Sequence, residues 1–267
     1  MPQDHHAIAI EDFCFMRQGK LLASLKPQEQ SLLQPLIIKK ASSGRALLMI
    51  HGFASSPAVY REMIHQLTNY DALFCPLLPG HGRNLQDFSE TKGTDWLTFI
   101  EKTFDDIAQN YEEIDVLGLS LGGLLACHLA QKKAVGRLYL LAPALALTQT
   151  PYIPSWMVKL CHFLGLRYIT NRGGSLLNTH SSELTFRQLP LTCIYEIFQL
   201  VEKFEFTPFS NNTLVFLGKY DKVIRNQKVQ AMINRLPNAS IIWLEHSEHV
   251  LPLDNDLQQI IDKIHSI

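Results

Sequence analysis

The sequence predicts an α/β fold: a mostly parallel central sheet with helices on both faces and a helical cap insertion. Three observations carry this expectation. Uninterrupted apolar runs of strand length recur along the chain, as expected for strands buried on both faces of a parallel sheet. Amphipathic stretches of helix length alternate with them. The alternation then breaks once, over 144–211, where Pro151, Pro154 and the Gly173-Gly174 pair accompany several helical stretches.

Residues 1–34 are an N-terminal extension in which 8–25 mixes apolar and polar residues and suits either a helix or a strand packed on the main body. The apolar run 46–50 is a buried strand. Ser56-Pro57 starts a helix, with proline just inside it, over 56–69. A strand over 72–78 stops at Pro79-Gly80. The next helix, 95–110, has apolar residues at 96, 97, 99, 100, 104 and 107, one stripe of an amphipathic helix. Strand 114–119, helix 121–132 and strand 137–142 follow. Beyond the break come strand 213–217, helix 227–236, strand 240–244 and a last helix over 255–264. The core is therefore 1–143 with 212–267, and the cap is 144–211. Within the cap, helices are expected over 155–166 and 191–203.

A chain of 267 residues can bury a sizeable core, and 46% apolar with 18% charged residues is ordinary globular composition. Twenty-four basic and 25 acidic residues leave a formal charge of −1 with no block of either sign, so the chain carries no electrostatic footprint for nucleic acid. Five cysteines stand singly at 14, 75, 127, 161 and 193, without C-x-x-C spacing, which suits small core residues in a reducing, cytoplasmic compartment. The start, with His5 and His6, lacks a basic region and apolar core of secretory type. The uncharged run 138–158 is long enough to span a bilayer, but it begins as a strand and contains three prolines, so a buried strand entering a loop is expected instead.

The chemistry is concentrated at Gly118-Leu119-Ser120-Leu121-Gly122. This is a Gly-x-Ser-x-Gly nucleophile elbow, a serine on a sharp turn between strand and helix. A serine hydroxyl needs a base within hydrogen-bond reach, and that base needs a carboxylate to orient it. Asp221 follows the strand 213–217 and His249 follows the strand 240–244, so both lie in loops at the same sheet edge as Ser120. His246 is an alternative base, and Glu245 or Asp254 an alternative carboxylate; Asp115 and Glu113 lie at the wrong end of the elbow strand. An oxyanion needs donors where it forms. The Leu121 N–H, at a helix N-terminus, supplies one, and the Phe53 N–H in the loop His51-Gly52-Phe53 is the candidate for the other. In an open α/β sheet, ligands bind outside the carboxyl ends of the strands, so the insertion roofs the site. Its Trp156, Met157, Leu160 and Phe163 are candidates to line an acyl pocket, packing among themselves being the alternative.

His51-Gly52-Phe53, Pro79-Gly80-His81-Gly82, Asp95-Trp96, the Ser120 elbow, Asp221 and His249-Val250 together resemble the α/β-hydrolase superfamily, most nearly the small bacterial carboxylesterases and monoacylglycerol lipases. The likeness covers 35–267. It implies the triad Ser120, Asp221 and His249, oxyanion positions at Phe53 and Leu121, and a structural role for His81. Arg225 departs from the branch, which often has proline there, and the insertion does not match closely. A serine esterase acting on short- to medium-chain acyl esters is the expectation, with a small-molecule substrate and no metal or organic cofactor. The same triad could serve a thioesterase, an acyltransferase or a carbon–carbon hydrolase. A hydrolase-like receptor without turnover is the non-enzymatic alternative.

Overall fold

A computed structural model describes residues 8–148, 161 and 164–266. Its strands in chain order are β1 (Phe13–Arg17), β2 (Lys20–Ser24), β3 (Leu36–Lys39), β4 (Arg45–Ile50), β5 (Ala72–Cys75), β6 (Glu113–Leu119), β7 (Leu138–Leu141), β8 (Tyr168–Thr170), β9 (Glu183–Phe186), β10 (Gln188–Pro190), β11 (Thr213–Gly218) and β12 (Ala239–Leu244). The described helices are α1 (Leu85–Glu90), α2 (Gly93–Ala108), α3 (Leu121–Lys132), α4 (Leu191–Lys203), α5 (Asn226–Ile233) and α6 (Leu257–His265).

Seven strands form one sheet in the order β12-β11-β7-β6-β4-β5-β3. All its pairings are parallel except β3 with β5 at one edge. The apolar runs account for this: Leu47, Leu48, Met49, Val116, Leu117, Leu140 and Phe216 are all fully buried. Each such side chain contributes about 1.5–3 kcal/mol by leaving water. Helix α2 buries Trp96, Ile100, Phe104 and Ile107, at helical spacing on one face. The sheet grows to one side of β4 through β5 and to the other from β6 onward, and because β4 and β6 are parallel neighbours the loops after them open side by side at the same carboxyl edge.

Two stretches depart from expectation. Over 56–69 there is no α-helix; 3-10 turns at Pro57–Tyr60 and Ile64–Gln66 occur instead. Pro57, Ala58, Val59 and Tyr60 are buried in succession, with no position among them for the exposed polar face that an amphipathic helix keeps, whereas Glu62, His65 and Gln66 further along are exposed. The Tyr60 hydroxyl also donates to the Ile50 carbonyl at 2.7 Å, drawing the chain onto the sheet.

The second is the N-terminal extension. It is a β-hairpin, β1 with β2, turning at Gln18 and Gly19, both at positive φ (48° and 71°) as a two-residue hairpin of the primed kind requires. Strand β1 pairs in turn with β9, from the insertion, giving a second sheet ordered β2-β1-β9. The described part of the insertion is therefore mixed: α4 spans the expected 191–203, but β8, β9 and β10 lie beside it. Strand β9 finds its partner outside the insertion, which no local pattern announces, while β8 and β10 pair antiparallel with each other.

Candidate active site

Ser120 is the hinge between β6 and α3, at φ 54° and ψ −113°. A non-glycine residue in that region carries strain of about 1–3 kcal/mol and persists only where its surroundings hold it. They do so through the backbone: the Ser120 N–H donates to the Leu141 carbonyl at 2.9 Å, and its carbonyl accepts from Gly123, Leu124 and Ala144 at 2.9, 3.2 and 2.9 Å. The flanking glycines are steric necessities. A Cβ on Gly118 would collide with the Gly122 carbonyl, and one on Gly122 with the Ile50 carbonyl.

Three side chains converge on this edge. The Ser120 Oγ lies 2.8 Å from His249 Nε2, and His249 Nδ1 lies 2.7 Å from Asp221 Oδ2. The network assigns the proton on Nδ1 to the Asp221 bond, leaving Nε2 to accept from the serine hydroxyl. The Asp221 side chain is wholly buried, and its other oxygen accepts from the Val223 and Ile224 amides at 2.7 and 3.1 Å. Burial pulls the His249 pKa down, but the charge and hydrogen bond of Asp221, with the charges of Glu183 and Glu248, outweigh it, so the net shift is upward from 6.5. The alternative groups sit elsewhere. Glu245 pairs with Lys219 at 2.5 Å, and the His246 amide is bound to Asp256.

The loop after β4 passes beside the serine: a Cβ on Gly52 would lie 3.5 Å from the Ser120 Cβ. Among the described residues, the amides of Phe53 and Leu121 donate to no protein acceptor. The loop is bolted down by two buried histidines. His51 Nε2 accepts from the Leu78 amide at 3.0 Å, and its Nδ1–H donates to the Gly52 carbonyl at 2.9 Å. His81 Nε2 accepts from the Ala54 amide at 3.1 Å, and its Nδ1–H donates to the Pro79 carbonyl at 3.0 Å. The same carbonyl accepts from Trp96 Nε1 at 3.1 Å. Burial lowers the His51 pKa to about 4 and takes His81 well below its ordinary value, helped there by His51. Both rings are thus neutral braces rather than proton carriers.

Two more acidic residues belong to the surroundings of the His249 loop: Asp254, weighed from the sequence as an alternative carboxylate, and Glu183, which the sequence did not single out. Asp254 is buried and accepts amides from both sides: Glu248 at 2.7 Å, and Leu177 and Asn178 of the insertion at 2.9 and 2.8 Å. The Ser175 carbonyl accepts from the His249 and Val250 amides at 3.0 and 2.9 Å. The insertion is therefore laced directly to the histidine loop. Glu183, on β9, is also buried; it accepts from the Gly174 amide at 2.8 Å, and burial raises its pKa despite that bond and the nearby His249. Glu183 belongs to no motif, and only the fold brings it near His249.

Trp156, Met157, Leu160 and Phe163 lie outside the described residues. A groove of about 1020 Å³ beside β3 and α2 reaches His81 but not Ser120, Asp221 or His249. Among the described residues, no group of histidine, cysteine or acidic side chains has metal-holding geometry, and no helix is long and apolar enough to cross a membrane.

Comparison with known proteins was then informative. A family model described as the alpha/beta hydrolase family matches residues 47–263. The chain is 26% identical to the thermostable monoacylglycerol lipase of Bacillus sp. (strain H-257) over 222 residues, covering 81% of this chain and 87% of that one. It is 20% identical to the carboxylesterase of Bacillus subtilis (strain 168), covering 79% and 87%. Among solved structures, one from work on the metagenome-derived lipolytic enzymes LipS and LipT superposes with a TM-score of 0.73 at 20% identity, covering 88% of this chain and 96% of that one. The monoacylglycerol lipase of Paleococcus ferrophilus gives 0.64 at 17% identity, covering 87% and 96%. At these identities the structural likeness speaks for the fold.

Proposed function

The chain belongs to the alpha/beta hydrolase family, as an esterase- or lipase-like hydrolase, and on that premise we propose that it is a serine hydrolase of short- to medium-chain acyl esters, monoacylglycerols included. Residues 144–211 form its cap. The observation that carries the mechanism is the hydrogen-bonded line Ser120–His249–Asp221, at 2.8 and 2.7 Å, ending at a serine held in a strained turn.

Ser120 Oγ attacks the ester carbonyl while His249 Nε2 takes its proton, and the negative charge that develops on the carbonyl oxygen is met by the Phe53 and Leu121 amides. His249 then gives the proton to the departing alkoxide, releasing the alcohol and leaving an acyl ester on Ser120. Water, deprotonated by the same imidazole, attacks that ester; the acid leaves and the serine recovers its proton. Asp221 keeps the imidazole in the required tautomer and stabilises the imidazolium. None of these steps calls for a metal or organic cofactor. Five unpaired cysteines support a reducing, cytoplasmic setting.

Ser120→Ala is expected to lower p-nitrophenyl ester turnover about a million-fold and to abolish labelling by a fluorophosphonate. Unchanged labelling in that variant would refute the assignment. A panel of monoacylglycerols, esters and thioesters of rising chain length then identifies the acyl group and the leaving group.

A further inference from the structure

Among the described residues, most of the large apolar side chains left in water are gathered in two segments. Leu21 and Leu22 are on β2, and Leu164, Leu166, Tyr168 and Ile169 run into and along β8; Leu164 is 64% exposed and Leu166 59%. All five residues of β2 are exposed, and so are all three of β8. The two segments are neighbours. The Gln18 and Gly19 amides donate to the Gly174 and Gly173 carbonyls at 2.5 and 2.9 Å, and a Cβ on Gly19 would lie 3.5 Å from that of Arg172. Arg187 reaches across to the Ser24 hydroxyl at 2.5 Å.

Charge follows the same boundary. Residues 17–26 and 164–174 contain Arg17, Lys20, Lys26, Arg167 and Arg172 and no acidic residue, on a chain whose net charge is −1. Lys20, Lys26, Arg167 and Arg172 are exposed, and none is in an ion pair with a described residue. Exposed leucines ringed by unpaired cations are costly on a free surface and are the composition of a lipid-facing one.

We propose that the β1–β2 hairpin and the segment 164–174 form a docking surface for an anionic lipid bilayer. The register slips between Phe15 and Met16, leaving Leu22 as an extra residue on β2, and all five residues of that strand stay in water while β1 is largely buried beneath it. The complement of exposed leucines flanked by unpaired cations is an apolar layer edged by anions, and a fluid anionic interface can take in the leucines while its phosphates meet the lysines and arginines. Half of this surface comes from residues ahead of the family match, which begins at residue 47. The docking is independent of the reaction at Ser120, and the two can fail separately.

The test is co-sedimentation of the full chain with vesicles of phosphatidylcholine alone and of equimolar phosphatidylcholine and phosphatidylglycerol. Binding to the anionic vesicles, weakened by added salt, is expected. Leu21→Asp with Leu22→Asp should weaken it about tenfold or more, and Lys20→Glu with Arg172→Glu at least about twentyfold. Trp243→Asp, an exposed aromatic on β12 far along the main sheet, should change neither binding nor fold. Hydrolysis of soluble p-nitrophenyl acetate, unchanged in all three variants, reports that each is folded. Absence of binding to anionic vesicles, equal binding to both vesicle types, or the same loss with Trp243→Asp would overturn the proposal.

Discussion

The two ends of strand β6 each carry a buried carboxylate network, and they are built to opposite purposes. At the amino end, Asp115 is fully buried and accepts from Arg45 Nη2 at 2.5 Å, the Tyr70 hydroxyl at 2.7 Å and the Arg137 amide at 2.7 Å. The Arg45 guanidinium also lies over the Tyr70 ring, 5.2 Å from its centroid. That carboxylate is saturated by its own chain. At the carboxyl end, Asp221 is equally buried, but its line runs through His249 to a serine hydroxyl, beside two backbone amides without described acceptors. What separates a structural acid from a functional one here is what the network leaves unspent. Depth and charge are alike at both ends.

Substitutions at the two aspartates should break this symmetry in different observables. Asp221→Asn keeps the side chain's shape but favours the wrong imidazole tautomer; turnover should fall about ten-thousand-fold with the urea midpoint little changed. Asp115→Ala removes the acceptor shared by Arg45, the Tyr70 hydroxyl and the Arg137 amide, leaving Arg45 with Glu113 at 3.6 Å and Tyr70 with Tyr139 at 3.2 Å. It should cost about 3 kcal/mol, read as a lower urea midpoint, with turnover per folded molecule nearly intact. Equal loss of activity from both variants would erase the distinction.

Acid should distinguish the ends more gently. The base must be neutral to accept the serine proton, so kcat/KM should fall as pH drops through the His249 pKa, and that limb should lie above 6.5 because the folded-state value is raised. The same raised value means that the protonated ring favours the fold: this contribution is fully present below 6.5 and is lost as pH rises through the higher folded pKa. Titration of His249 therefore switches activity off in acid without itself unfolding the protein. Removing one of the charges that raise it, by Glu183→Gln, should move the limb to lower pH with little change in the plateau rate. An unmoved limb would mean that Glu183 is neutral in the working enzyme.

The parallel sheet and the Ser120–His249–Asp221 line were readable from residue order because both depend on local signals. Apolar runs mark the strands, and loops at the ends of β11 and β12 present Asp221 and His249 on one edge. Helix α3 spans the expected 121–132. Helix α1, not among the elements expected from the sequence, is capped by Asn84, whose side chain accepts from the Asp87 amide at 2.8 Å. What stayed hidden depends on distant partners. The hairpin turn at Gln18-Gly19 becomes meaningful only with β9 beside β1, and Asp254, weighed from the sequence as a partner for the base, is instead taken up by the Leu177, Asn178 and Glu248 amides. The 3-10 turn at Pro57–Tyr60 goes with four consecutive buried residues, which a helix-start signal at Ser56-Pro57 does not reveal.

The pairing of Phe13 with Phe186 also sets a timetable. At about 5–20 residues per second, a ribosome leaves β1 waiting on the order of ten to thirty seconds before its partner strand emerges. During that interval the nascent chain carries a hairpin with one vacant edge and an uncovered phenylalanine, which is the condition under which chaperones engage a growing polypeptide. His249 is made later still. The molecule therefore acquires its second sheet, and then the histidine of its hydrogen-bonded line, only after residues 183–186 and then 249 have been made.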